Sequence, residues 1–165
     1  MTRARRYPIG PRPELTEAEK AEREAMNQPR PRVRSEAERK ELAARVRELQ
    51  QVDRPLTTAE LVPGLWVRMQ YVNAVGKPAG SRVGLLAEDY REPDRLVLWS
   101  YVYDGFPPGA NLVLGPTFGR DREMPTHEMR PVDPSRFREQ ERAQIAAYAE
   151  RGRWNRDKCR WELEQ

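Results

Sequence analysis

Proline and glycine set the strongest limit on what this chain can fold into. Ten of its 15 prolines and eight of its 10 glycines lie between Pro55 and Pro134. Because proline removes a backbone donor and disrupts helix interiors, this stretch cannot belong to an all-helical bundle. Short apolar runs rich in β-branched and aromatic residues separate the turn residues, a pattern typical of antiparallel strands. Residues 55–133 are therefore predicted to form a small β-domain.

Apolar and polar residues alternate along several of these runs, which predicts strands with two distinct faces. The run most typical of a strand is 95–103. One of its faces carries Leu96, Leu98 and Val102, and the other carries Val97, Trp99, Tyr101 and Tyr103. Further strands are predicted at 65–72, 82–88, 112–114 and 124–132, with loops at 73–81 and 105–110.

Three segments of this region follow the turn and strand pattern of a known class of barrels. They are Leu61-Val62-Pro63-Gly64-Leu65-Trp66-Val67-Arg68, the hairpin over 82–99, and Met124-Pro125-Thr126-His127-Glu128-Met129-Arg130-Pro131-Val132. Together they resemble the Tudor- and KOW-like small barrels, over less than half of the chain. The resemblance implies a small antiparallel SH3-like β-barrel. The loop at 104–123 is longer than such barrels usually have.

Helices are predicted on both sides of this barrel. Capping-box patterns at Thr16 and Ser35 predict helices over 17–26 and 36–51. The second of these carries an apolar stripe that needs a partner surface, formed by Leu42, Val46, Leu49 and Val52. The expected α+β division is a basic Pro/Arg-rich arm with a short helix (1–34), an amphipathic helix (35–54), the barrel (55–133), and a C-terminal helix with a tail (134–165).

The C-terminal helix is predicted to begin at Asp133-Pro134 and to end at Gly152. An aspartate followed by proline is a typical N-cap and first helical residue, and glycine commonly follows a helix end. One side of this helix carries Phe137, Glu141, Ile145 and Tyr148. This side needs an apolar surface to cover.

Two tryptophans in the tail, Trp154 and Trp161, are seven residues apart. In a hairpin that turns at 157–158 they would lie directly opposite each other, with Asn155 facing Arg160. The sequence favours this hairpin over a helix because asparagine and aspartate are turn residues and poor helix formers. The hairpin would dock a partner or stack bases between its cations, or it would pack on the protein's own last helix near Tyr148.

The charge of the chain is concentrated in arginine at its two ends. Net charge is +4, and residues 1–34 hold eight Arg and one Lys against five acids. Arginine offers a planar fork that suits phosphate or carboxylate. The competing interpretation is codon bias in a high-GC genome, such as that of a phage or bacterium, with a solvated terminus.

Candidate binding residues fall into three groups. The arm would contact phosphates or a protein partner through Arg3, Arg5, Arg6, Arg12, Arg30, Arg32 and Arg34, with Tyr7 available to stack. An aromatic barrel face would carry Trp66, Trp99, Tyr101 and Tyr103, unless the flanking helices cover it. The tail would offer Trp154, Arg156, Arg160 and Trp161.

The sequence contains few residues in patterns typical of catalysis. Cys159 and His127 are the single cysteine and the single histidine, so neither an internal disulfide nor a Cys/His zinc site is possible. No catalytic residue, metal ligand or cofactor is predicted. The distant alternative is a small enzyme that uses carboxylates of the 104–123 loop, namely Asp104, Asp121 and Glu123.

These observations predict a non-enzymatic binding or adaptor protein that uses basic arms around a small β-barrel in a nucleic-acid-containing assembly. The alternative is a structural component of a multi-protein assembly such as a phage particle, whose arms clamp protein neighbours. No apolar run is long enough to span a membrane. We therefore expect a cytoplasmic protein, or a virion-associated one if it is phage-encoded.

Overall fold

The computed structural model describes residues 15–27, 32–72, 75, 77–92, 94–101, 107–114, 128–155 and 157–164. Its helices are α1 (Glu17–Asn27), α2 (Glu36–Gln50) and α3 (Glu139–Arg151), with 3₁₀ turns at Thr58–Glu60 and Pro134–Arg136. Its strands are β1 (Trp66–Val72), β2 (Pro78–Glu88), β3 (Leu96–Ser100), β4 (Gly109–Leu114), β5 (Glu128–Pro131), β6 (Gly152–Asn155) and β7 (Arg160–Leu163). The fold class is α+β, as predicted. None of the described helices is long and apolar enough to cross a membrane.

Five of the strands form one antiparallel sheet in the order β4-β3-β2-β1-β5, and β6 pairs with β7 in a separate hairpin. The first four strands follow one another across the sheet, and β5 returns to pair with β1. Strands β4 and β5 are the two edges, and no pairing between them is found among the described residues. Over that part of the chain, the sheet is open rather than closed into a barrel.

Two strands begin earlier than predicted, inside segments expected to be loops. Strand β2 begins at Pro78 because β1 is long enough to pair with it as far as Val72. The Gln70 side chain reinforces this end of the pair, since its Nε2 donates to the carbonyl of Gly80 at 2.8 Å. Strand β4 begins at Gly109, opposite Ser100. Pairing with the preceding strand overrides the turn preference of glycine and proline at these positions.

The C-terminal helix also begins later than predicted. Asp133 caps only the short 3₁₀ turn, accepting a hydrogen bond from the Ser135 N–H at 2.9 Å, and α3 starts at Glu139. Between them Phe137 has extended backbone, with ψ of 150°. Its ring packs against Trp66, with ring centroids 5.2 Å apart. This contact with β1 interrupts the helix that the sequence pattern suggests.

The sheet has a core on each face. The α2-side core is covered by the last turns of α2 and comprises Leu49, Leu65, Val67, Met69, Leu86, Leu96, Leu98 and Met129. The α3-side core is built on Val97, Trp99 and Ile145, with Trp66, Leu85, Ala87, Tyr101, Ala110, Tyr148, Ala149 and Trp161 packed against it. All five residues of β3 are buried, and they alternate between the two cores as predicted.

Gln50, at the end of α2, joins the helix to the junction of β1 and β5. Its Nε2 donates to the carbonyl oxygens of Trp66 at 2.8 Å and Val132 at 2.7 Å. Its Oε1 accepts from the Trp66 N–H at 3.0 Å. The amide thus satisfies backbone groups at the point where β1 meets the end of β5. The sequence gives no local signal for this role.

We expect Gln50→Ala to lower the free energy of unfolding by about 1–3 kcal/mol, because it leaves half-buried backbone groups of both strands without partners. Gln51→Ala is the matched control, since that side chain is exposed beside the helix end. Urea denaturation of both variants measures the difference. Equal midpoints for the two would show that the amide does not hold the junction.

Candidate nucleic-acid and partner interface

Arg34, predicted to contact phosphate, instead forms a two-pronged ion pair with Glu88 of β2. Its Nη1 donates to Glu88 Oε2 at 3.1 Å, and its Nη2 pairs with Oε1. Both side chains are about four-fifths buried, with exposed fractions of 21% and 20%. Both ends of the Arg34 guanidinium are therefore engaged by Glu88 within the domain, and its contact with phosphate or a protein partner stays a prediction. The residue anchors the arm rather than extending it.

The residues just before this anchor are open to solvent. Arg32 is exposed, and Val33 has a relative exposure of 92%. The remaining predicted contacts of the arm, which lie outside the described residues, are Arg3, Arg5, Arg6, Tyr7, Arg12 and Arg30.

The aromatic face of the sheet is covered rather than open. Trp99 has a relative exposure of 2% and lies 6.1 Å from Tyr148 of α3, measured between ring centroids. Tyr101 donates its hydroxyl hydrogen to Gln144 Oε1 of the same helix, and burial raises the pKa of Tyr101. Trp66 lies against Phe137. Because Trp99 is buried, it is not open to a ligand. The sequence allowed either an open or a covered aromatic face, and the structure has the covered one.

Tyr103 lies outside the described residues, as do Arg156 of the tail and His127 with the loop carboxylates Asp104, Asp121 and Glu123. Within the described part of the chain, no group of three or more His, Cys, Asp or Glu side chains is placed to hold a metal ion.

The tail forms the predicted hairpin in the predicted register. Trp154 lies opposite Trp161, and Asn155 lies opposite Arg160. The two indole rings are 5.5 Å apart between centroids and meet edge to face at 67°. The turn is held by the Lys158 N–H, which donates to Asn155 Oδ1 at 3.0 Å.

Trp161 docks this hairpin on the α3-side core. Its ring lies 4.8 Å from Trp99 and 6.3 Å from Tyr90, between centroids. Gly152 permits the approach, because a Cβ at this position would lie 2.5 Å from Cη2 of Trp99. The hairpin therefore packs on its own domain, and its base-stacking role is limited to Trp154, which keeps a relative exposure of 39%.

The cations of the hairpin are largely paired with its own acids. Glu162 accepts hydrogen bonds from Lys158 Nζ at 3.0 Å, Asn155 Nδ2 at 2.8 Å and Arg160 Nε at 2.8 Å. These bonds, that from Lys158 foremost, lower the pKa of Glu162 to about 2. Arg160, a predicted contact residue, is therefore engaged within the hairpin.

Two exposed arginines that the sequence did not single out lie opposite each other on the sheet. Arg68 of β1 pairs in register with Arg130 of β5. Alternation places Arg68 on the same face as Trp66, which is visible in the sequence. The pairing of β1 with β5 is not visible in the sequence, because the two strands are about 60 residues apart and long-range pairing has no local signature.

No protein-family model, curated protein or solved structure matches this chain.

Trp99→Ala is expected to cost about 3–5 kcal/mol of unfolding free energy, through lost burial and the cavity left behind. Trp154→Ala removes the same side chain at an exposed position and should cost only about 1 kcal/mol, chiefly the loss of the indole pair. Chemical denaturation of the two variants tests this. An unchanged midpoint for Trp99→Ala would contradict its place in the core.

Glu162→Gln should destabilise the protein only where Glu162 is ionised. A carboxyl whose folded pKa is depressed stabilises the fold above its ordinary pKa of about 4.3, and this contribution disappears as the pH falls through the folded value. The Tm of the variant is therefore expected to lie below that of the wild type by the largest amount at pH 6, and this difference should disappear as the pH falls to about 2. A constant difference over this range would refute the assignment.

The control is Glu150→Gln, which removes a charge from an exposed position of α3 that has no ion pair with a described residue. Its Tm should equal that of the wild type at pH 6, where the Glu162→Gln variant shows its full loss.

Proposed function

We propose that this chain is a non-enzymatic binding or adaptor protein that uses basic arms around a small β-barrel of the Tudor or KOW kind. It would act in a nucleic-acid-containing assembly, in the cytoplasm or in a virion. Support for the barrel comes from the strand order, since β5 returns beside β1 and leaves two edges. Pairing of those edges would close the sheet into a barrel.

The observation that carries the proposal is the ion pair between Arg34 and Glu88. It fixes the base of a segment, residues 1–32, that holds seven arginines and one lysine against five acids. A rigid anchor followed by a basic chain suits a surface that tracks phosphates, because such contacts need charge and reach rather than a shaped pocket. The exposed Arg32 is the first cation beyond the anchor.

The described aromatic residues favour contact with the backbone of a nucleic acid over contact with its bases. Stacking on bases needs an open ring. Trp99 is buried, Trp66 and Trp161 are half-buried against neighbouring rings, and Trp154 alone among the described tryptophans is exposed. Binding through phosphates would be independent of base sequence and strongly dependent on salt.

A structural role among protein neighbours is the second candidate, and three exposed apolar side chains favour it. Val33 has a relative exposure of 92%, and Trp154 and Leu163 of the hairpin have 39% and 38%. A protein partner would bury such residues, so its affinity would change little with salt.

Deleting residues 1–13 is expected to leave the Tm nearly unchanged and to weaken binding to duplex DNA. The deletion removes four arginines. Each phosphate contact contributes a slope of about 0.9 to the decrease of log affinity with log salt, so the slope should fall by up to about four. Fluorescence anisotropy with a labelled duplex, at salt concentrations of about 50 to 200 mM, measures this slope.

A full-length variant with Arg3, Arg5, Arg6 and Arg12 changed to Gln separates charge from chain length. It should behave like the deletion. A large loss of Tm on deletion would show that the segment belongs to the fold. Partner capture from native extract that survives nuclease treatment, with no salt-dependent DNA binding, would favour the protein-neighbour role instead.

A further inference from the structure

A pair of like charges lies where β1 meets β5. Arg68 and Arg130 are directly opposite in this antiparallel pair, on the face that also carries Trp66. Side chains at such positions have Cβ atoms about 5 Å apart, and like charges placed there destabilise the pairing. Both side chains are exposed. The arrangement therefore places two positive charges at a fixed, short spacing on a rigid part of the sheet.

Only one of these charges is compensated. Arg130 Nε donates to Glu128 Oε1 at 2.5 Å, on its own strand. Arg68 forms no ion pair with any residue that the structure describes. Its neighbours on the same face include Gln70 of β1 and Val83 of β2, which are uncharged, and Glu128 of β5, which lies opposite Gln70 and binds Arg130. Within the described part of the chain, the guanidinium of Arg68 is thus available to bind an anion from solution.

Two further arginines extend this positive surface along the segment after β5. Arg136 and Arg138 are exposed and flank Phe137, whose ring lies 5.2 Å from that of Trp66. Neither forms an ion pair with a described residue. Trp66 is two residues from Arg68 on β1, on the same face. The contact of Phe137 with Trp66 thereby places Arg136 and Arg138 on the same side of the sheet as Arg68.

The acids of this segment do not cancel the charge. Residues 128–138 contain two acids, Glu128 and Asp133. Glu128 binds Arg130, and Asp133 accepts the hydrogen bond of the Ser135 N–H. We define the β1–β5 arginine surface as Arg68, Arg130, Arg136 and Arg138. It carries four positive charges, and the acids around it are Glu128 and Asp133, which are engaged locally, and Glu139 and Glu141 in the first turn of α3, of which Glu141 accepts from the Arg138 N–H at 3.3 Å.

We propose that the β1–β5 arginine surface binds the phosphodiester backbone of a nucleic acid. The proposal rests on the proposed function. It adds a phosphate contact on the domain itself to those that the basic arm would make. Arginine forks bind phosphate oxygens through paired charge-assisted hydrogen bonds. A phosphate between Arg68 and Arg130 would also relieve their mutual repulsion. Because no open ring flanks the pair in the described structure, recognition would be of the backbone and independent of base sequence.

The test compares wild type with Arg68→Gln/Arg130→Gln, using a labelled 20-base-pair duplex, about two helical turns long, at 50 to 200 mM salt. The double variant should bind more weakly at every salt concentration, with the salt slope smaller by about two. The loss should be equal for two duplexes of unrelated sequence. Arg39→Gln/Arg47→Gln is the matched control, because both arginines are exposed on α2 and form no ion pair with a described residue. It should bind as the wild type does.

Stability provides a readout that separates binding from folding. Since the substitution removes two opposed like charges, the Tm of Arg68→Gln should equal or exceed that of the wild type. A lower Tm would show that the arginine serves the sheet, and would overturn the proposal.

The other outcomes distinguish this proposal from the proposed function. If the double variant binds as the wild type does while the arm variants bind weakly, the surface proposal is wrong and the proposed function stands. If the control weakens binding equally, net charge alone explains the effect and the surface proposal is wrong. If the wild type binds polyglutamate but no duplex, both proposals are wrong and an acidic protein partner replaces them.

Discussion

Burial of β3 on both faces is the constraint on which the rest of this structure depends. Leu96 and Leu98 pack into the α2-side core and Val97 and Trp99 into the α3-side core, so neither face can be left to water. The last turns of α2 cover one face. The other is covered by α3 and, at its far end, by the β6–β7 hairpin through Trp161. A chain with only 38% hydrophobic residues can form this domain because those residues are concentrated in the two cores of one sheet.

Polar side chains fix the covering elements in place. Gln50 bonds the end of α2 to the junction of β1 and β5, and Arg34 ties the chain before α2 to β2 through Glu88. Asp89 is buried with an exposure of 4% and holds the turn between β2 and β3 by accepting bonds from Arg91. These groups are satisfied within the fold, which is what allows their burial.

What could be predicted from the sequence follows from how local each signal is. The alternation along β3, the capping box at Ser35 and the register of Trp154 with Trp161 are set by neighbouring residues, and the structure has them as predicted. Gln50, the anchor at Arg34 and the pairing of Arg68 with Arg130 depend on residues far apart in the chain. The late start of α3 has the same origin, because the contact of Phe137 with Trp66 outweighs a good local helix signal. The candidate arm remains a prediction from composition.

The covering of Trp99 by later elements has a consequence for synthesis. The strand that carries Trp99 leaves the ribosome before α3 and about 60 residues before Trp161, a delay of roughly 3–12 s at usual translation rates. During that interval the sheet can pair and its α2 side can close, while the other face keeps its tryptophan and valine exposed. The nascent chain therefore passes through a half-covered sheet that is open to association with its neighbours. Chaperone binding during translation would be of most use within this interval.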